Sequence, residues 1–188
     1  MASGTDAAEP RQNIGKGSIM SRVWEKSFAE FAGPGIHHPS DSMRVDDDEA
    51  AMIVADLAAR EAVPTILHPL GRHGRYALGH VAGEAHTLLL TDKCIIGFYV
   101  GSYLWIAKMH RGQGLSTPLI LAAARHLDGR ALPPGVVFQG YTGAGLAAHR
   151  AAHANAVGAA ITAGLPVPAA VVAEWRARQI QRSLATAA

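Results

Sequence analysis

The sequence predicts an α/β fold: a mixed, mostly antiparallel sheet flanked by helices, with a strand, a glycine-rich loop and a helix at its centre. Three observations predict it. Between Thr87 and Ile106, three short apolar runs alternate with two-residue turns. The last run breaks into Lys108-Met-His-Arg-Gly-Gln-Gly-Leu-Ser116, and Leu119, Ile120, Ala123, Ala124 and Leu127 then recur at helical spacing. Beyond that helix, Val136–Tyr141 reads as a further strand, and a crossover containing the helix would set it parallel to Tyr103–Ile106.

In chain order, residues 1 to about 20 are small and polar and read as a flexible arm. Val23, Trp24, Phe28 and Phe31 have the spacing of a short helix, and Gly33-Pro34-Gly35 and Pro39-Ser40 end it. Adjacent His37 and His38 fall in that breaker and read as loop histidines. Met43–Val45 predicts a brief strand. The acidic run Asp46–Glu49 then complements the dipole of a helix over Ala50–Glu61, because negative charge is favourable at a helix start. Its oxygens do not alternate as a calcium loop requires. Val63–Arg75 reads as loop and Tyr76–Val81 as a strand. Thr87–Thr91, Cys94–Val100 and Tyr103–Ile106 form a meander turned at Asp92-Lys93 and Gly101-Ser102. Ser116 or Thr117 is positioned to cap the next helix, with Pro118 in its first turn. Asp128-Gly129 and Pro133-Pro134-Gly135 mark turns. An alanine-rich helix from about Ala144 to Ala163 ends at Gly164, and a last helix covers about Ala169–Leu184.

The loop and the helix that follows it make an anion site on general grounds. Backbone N–H groups at a helix start have no internal partner, the dipole adds partial positive charge, and glycine lets a phosphate approach the main chain.

Arg111-Gly-Gln-Gly-Leu-Ser116 resembles the R/Q-x-x-G-x-G/A signature of the GCN5-related N-acetyltransferases, with Ser116 at the last position in place of Gly or Ala. The order of meander, loop and helix is also similar to that family, over about Met43–Leu165. The resemblance implies residues 1–42 as an arm with a short helix, 43–168 as an acetyltransferase-like domain and 169–188 as a C-terminal helix. It further implies acetyl-CoA as acyl donor, an amine acceptor that nothing here names, and acceptor specificity in the Val63–Arg75 region. Arg111, Gly112, Gln113, Gly114, Leu115, Ser116 and Thr117 would bind the pyrophosphate. Ile106, Ala107 and Lys108 would align the pantetheine and thioester, one of their N–H groups polarising the carbonyl.

The family's acid comes from a helix written N-x-x-A-x-x-x-Y-x-x-x-G-F. Here Ala156 and Gly164 match and Leu165 stands for Phe, but His153 replaces the Asn and Ala160 the tyrosine. Alanine cannot give up a proton. The remaining acid or base candidates are His153 and His149, which share a helix face, and Tyr141. By the residue pattern alone, the two histidines read as surface or pocket-edge groups on a packed alanine helix and Tyr141 as core. Without a third ligand they do not make a metal site. Tyr103–Met109 carries no carboxylate to act as base.

Composition limits the alternatives. With 188 residues and no dividing linker the chain forms one main domain. A formal net charge of +2 gives little support to a nucleic-acid-binding stripe. The single cysteine, Cys94, excludes an internal disulfide and a multi-cysteine zinc site, and its apolar neighbours read it as a small buried hydrophobe. No apolar run of membrane-spanning length and no leader is present, which gives a cytoplasmic expectation. A second expectation, of another class, follows from the missing tyrosine. The domain would serve as a structural or interaction component of a homo-oligomer or larger assembly, such as a virion, joined through the N-terminal arm and C-terminal helix.

Overall fold

The computed structural model describes residues 23–33, 45–59, 68–70, 73–81, 84, 86–92, 94–136 and 140–186. The polar arm, His37-His38, Met43-Arg44 and most of Val63–Arg72 lie outside them. A 3-10 turn at Val23–Glu25 leads into α1 (Phe28–Ala32), followed by α2 (Asp47–Ala59), β1 (His68–Leu70) and β2 (His73–His80). Then come β3 (Thr87–Thr91), β4 (Cys94–Val100), β5 (Tyr103–Ile106), a 3-10 turn at Lys108–His110, α3 (Ser116–His126), α4 (Gly143–Thr162) and α5 (Ala169–Thr186).

The strands form one sheet in the order β1-β2-β3-β4-β5, and each neighbouring pair is antiparallel. The expected mixed sheet is therefore antiparallel among the described residues. Of the expected parallel strand Val136–Tyr141, residues 137–139 lie outside the description, and Gly140 and Tyr141 are not strand. Tyr141 turns into the core, where its hydroxyl donates to the Ala32 carbonyl at 2.7 Å.

Both faces of the sheet are covered, which is why β3 is apolar without alternation. Leu88, Leu90 and Phe98 pack under Ala50 and Leu57 of α2. On the other face Tyr76, Leu78, Leu89, Ile96 and Tyr99 meet Leu119, Ile120 and Ala123 of α3 and Ala152 of α4. α4 packs against the Trp175 side chain of α5. At Gly158 an added Cβ would stand 3.5 Å from the Trp175 ring of α5, whose indole N–H donates to the Ala154 carbonyl at 3.0 Å. Among the described residues no helix is long and apolar enough to cross a membrane.

Four local expectations are corrected. Val63–Arg75, expected as loop, contributes β1 and the first three residues of β2. Asp46 accepts from the Glu49 N–H at 2.8 Å, so the acidic run both caps α2 and begins it, three residues earlier than the apolar spacing indicated. Neither Ser116 nor Thr117 caps α3. The position before the helix is Leu115, in αR conformation and without a side-chain acceptor. Cys94 is exposed, because it opens β4 at the end of the sheet.

Candidate functional site

The site begins where β5 ends. The Ala107 N–H donates to the Ile96 carbonyl at 2.8 Å, extending the β4–β5 pairing one residue before the chain turns through Lys108–His110. Gly112 and Gly114 then adopt φ of +75° and +74°, a region in which a side chain is strained. Nothing lies within 4 Å of where a Cβ would stand on either, so the glycines are needed for backbone conformation rather than for space. Leu115, 1% exposed, pins the end of the loop into the core.

The loop borders an open groove of about 730 Å³. Leu104, Trp105 and Ile106 of β5 form one wall, and Thr142, Gly143 and Gly145 at the start of α4 form another. Gly112, Gly114 and Ser116 form the third side. Two helix N-termini therefore meet at one groove. At α4, Thr142 accepts from the Gly145 N–H at 3.0 Å. At α3 no side chain caps the helix, and Pro118 removes one of its orphan donors. Neither helix has an acidic residue in its first turn, whereas α1 and α2 both do. No acidic residue in either first turn offsets the partial positive charge of these two ends, which suits a groove for an anion.

Arg111 turns back to brace the loop. Its Nε donates to the Ile106 carbonyl at 2.6 Å, and its outer nitrogen to Asp47 Oδ1 at 2.8 Å. The Trp105 indole N–H donates to the same carboxylate oxygen at 3.1 Å. These donors, the indole first, hold the Asp47 carboxyl below the usual carboxylate range. Both partners of the ion pair are exposed, so it positions the loop more than it stabilises the fold.

A second brace comes from β2. The Tyr76 hydroxyl donates to Gln113 Oε1 at 2.9 Å, accepts from Arg75 at 2.6 Å and lies 3.1 Å from His110 Nδ1. Gln113 Nε2 in turn donates to the Met109 carbonyl at 3.4 Å.

Of the ten residues expected to hold the acyl donor, Ile106, Arg111, Gly112, Gly114, Leu115 and Ser116 line the groove. Ala107, Lys108, Gln113 and Thr117 do not. Because the Ala107 N–H is committed to Ile96, it is not available to a thioester carbonyl.

The three acid or base candidates lie elsewhere. His149 and His153 are 1% and 3% exposed, so the surface or pocket-edge reading is overturned. His149 Nδ1 lies 2.7 Å from the Gly145 carbonyl, and its Nε2 lies 3.0 Å from the Tyr99 hydroxyl. Burial lowers its pKa to about 4, against the raising effect of the Gly145 carbonyl. His153 Nε2 lies 2.9 Å from the Lys26 carbonyl, its ring packs against Phe28 and Phe31, and burial lowers its pKa too. Burial raises the phenol of Tyr141 above its ordinary value. None of the three lines the groove, so none is placed as its acid or base. Among the described residues no three His, Cys, Asp or Glu side chains gather as metal ligands would.

Residues that sequence reasoning missed are Leu104, Trp105, His110 and the α4 start at the groove, with Asp47 and Tyr76 as braces. Thr142 preceding Gly-Ala-Gly-Leu was a legible cap signal; the contacts of Asp47 and Tyr76 had no local signal. Fold and site thus define an α/β protein with an open groove set between two acid-free helix starts. No protein-family model, curated protein or solved structure matches the chain, so the chemistry of the groove rests on its own residues.

Proposed function

We propose that the protein is an acyl-CoA-dependent N-acyltransferase, resembling the GCN5-related enzymes, with acetyl-CoA as donor and an amine as acceptor. One observation carries this reading: the uncapped start of α3 and the positive-φ glycines before it border an open groove that continues along β5. Gly112, Gly114, Leu115 and Ser116 would hold the pyrophosphate through main-chain N–H groups, and Leu104–Ile106 would flank the pantetheine. The amine nitrogen would form the amide bond as the carbon–sulfur bond breaks; the nitrogen would lose one proton to solvent, and the released thiolate would take one from it. With His149, His153 and Tyr141 in the core, the attacking species is the unprotonated fraction of the amine. Rate should then rise about tenfold per pH unit below the acceptor's own pKa.

Thermal or chemical unfolding with and without acetyl-CoA is the first test. Ligand at 100 times its dissociation constant stabilises the fold by about 2.7 kcal/mol. Gly114→Asp, which sets a carboxylate in the cradle, should abolish that gain. No stabilisation of the unsubstituted protein at millimolar acetyl-CoA refutes the reading.

A second reading, a component of an oligomer or larger assembly with little catalysis, is favoured by α5. Its far half stands away from the body, with Ile180 and Leu184 62% and 67% exposed. Sedimentation as a larger species, together with acetyl-CoA binding but no thioester loss on any amine, selects it.

A further inference from the structure

We propose that the groove docks the end of a polypeptide: an extended segment with a free C-terminal carboxylate adds to β5 as a parallel strand and sets that carboxylate at the glycine loop. This goes beyond the acyl-donor reading and stands without it, since no thioester takes part.

β5 is the last strand of the sheet, with β4 on one side and no strand on the other among the described residues. In an antiparallel pair, successive residues turn their main-chain groups alternately toward the partner and away from it. The register pairs Phe98 with Trp105 and Tyr99 with Leu104, and the Ala107 N–H donates to Ile96 O at 2.8 Å. Ala107, Trp105 and Tyr103 therefore bond inward. Trp105 O leans so far onto β4 that a Cβ added at Gly97 would stand 3.0 Å from it. Leu104 and Ile106 turn outward, and Ile106 O is met on that side by Arg111 Nε at 2.6 Å. Leu104 N–H, Leu104 O and Ile106 N–H are left along the free edge, where Leu104, Trp105 and Ile106 line the groove. Edge groups set out in this way are a template for one more strand.

Charge sets the direction of that strand and Arg111 sets its length. No acidic residue lines the groove, and its loop end has Arg111 and two helix starts. A carboxylate is favourable there and an ammonium group is not. β5 runs toward that end, so a chain whose carboxylate lies there is parallel to β5. Its second-last residue would donate its N–H to Leu104 O and accept from the Ile106 N–H, and its fourth-last carbonyl would accept from the Leu104 N–H. Pairing stops at Ile106, because Arg111 takes its carbonyl and the next N–H, of Ala107, is given to Ile96. A continuing strand finds nothing further to bond, whereas a chain that ends here delivers its carboxylate to the loop. The last and third-last side chains fall on the face of Leu104 and Ile106, which pack on the same core cluster as Ala148 of α4. The second-last side chain falls on the face of Trp105, beside Val45. Apolar residues therefore suit the last and third-last positions.

The probe is an array of dye-labelled hexapeptides with free carboxylates, apolar residues being varied at the last and third-last positions. Fluorescence anisotropy follows their titration with the unsubstituted full chain. Members of the array should bind. Replacing the second-last amide N–H of the best binder by an ester oxygen removes the bond to Leu104 O and should weaken binding about tenfold. The same change at the last residue, whose N–H faces away from β5, should do little. Amidating the carboxylate should weaken binding by about tenfold or more, and the difference should shrink with added salt. Amide hydrogen exchange reads the edge itself. In the free protein Leu104 and Ile106 should exchange fast and Trp105 and Ala107 slowly, and bound peptide should slow the first pair. Slow exchange at Leu104 and Ile106 without peptide means a covered edge and overturns the proposal. Binding indifferent to both the carboxylate and the second-last ester is apolar adhesion and overturns it as well. So does absence of binding across the array, and stabilisation by acetyl-CoA in the same preparation then leaves the acyl-donor reading standing.

Discussion

Acid should destabilise the fold through His149. The ring is in the core with its titration lowered from 6.5 to about 4, and burial is the main cause. Between those values the unfolded chain binds a proton that the folded chain refuses, so stability falls as pH falls. This contribution is fully present above about pH 6.5. It amounts to about 2 kcal/mol lost between pH 7.5 and 5, and about 3 kcal/mol by pH 4. The surroundings sharpen the test. Nδ1 lies 2.7 Å from Gly145 O and Nε2 3.0 Å from the Tyr99 hydroxyl, which itself donates to Ala131 O at 2.6 Å. A neutral imidazole and a phenol hold two protons for these three contacts, so hydrogen bonding favours the third proton and burial opposes it. Urea unfolding of the unsubstituted protein and His149→Gln at pH 7.5, 6, 5 and 4 measures which effect wins. The stability difference between the two should shrink on acidification by the amounts above. If it grows instead, the ring is charged in the folded state and the burial argument is wrong.

Three further outcomes follow from the same contacts. Tyr141→Phe removes the buried bond to Ala32 O and should cost about 1–2 kcal/mol in urea unfolding without changing acetyl-CoA affinity. Thr142→Ala removes the cap of α4 and should cost about 1 kcal/mol by the same assay. Cys94, being exposed, should react with a thiol reagent in the native protein as fast as in urea; strong protection would contradict its placement.

The three meander strands and the helices were legible because their signals are local, whereas β1 and the start of β2 lie in a Pro- and Gly-containing stretch that reads as loop. The meander runs β3, β4 and β5 begin and end where apolar runs and turn residues put them. The loop glycines were equally legible, since Gly112 and Gly114 do adopt the backbone region that favours glycine. The α4 histidines were not, for a physical reason. A helix in which twelve of twenty residues are alanine or glycine has no strong apolar stripe to distinguish an inward face from an outward one, so nothing local says that His149 and His153 point inward. Their partners, Tyr99 and the Lys26 carbonyl, are 50 and 127 residues away.

The braces on the glycine loop carry the same lesson to a testable end. The loop takes its shape from Tyr76 and Asp47, which lie 37 residues before Gln113 and 64 before Arg111. Six residues of pattern therefore do not define the site by themselves. Asp47 also sets a negative charge against Arg111 and Trp105 of the groove, where it offsets part of the field that Arg111 and the two helix starts create. Asp47→Asn keeps an oxygen for the Arg111 and Trp105 donors but removes that charge. Because both partners are exposed, the fold should lose little stability. Affinity for acetyl-CoA should rise, and the gain should fade with added salt. A loss of affinity at low salt would mean that the ion pair's grip on the loop outweighs the field, and that Asp47 orders the cradle more than it opposes the ligand.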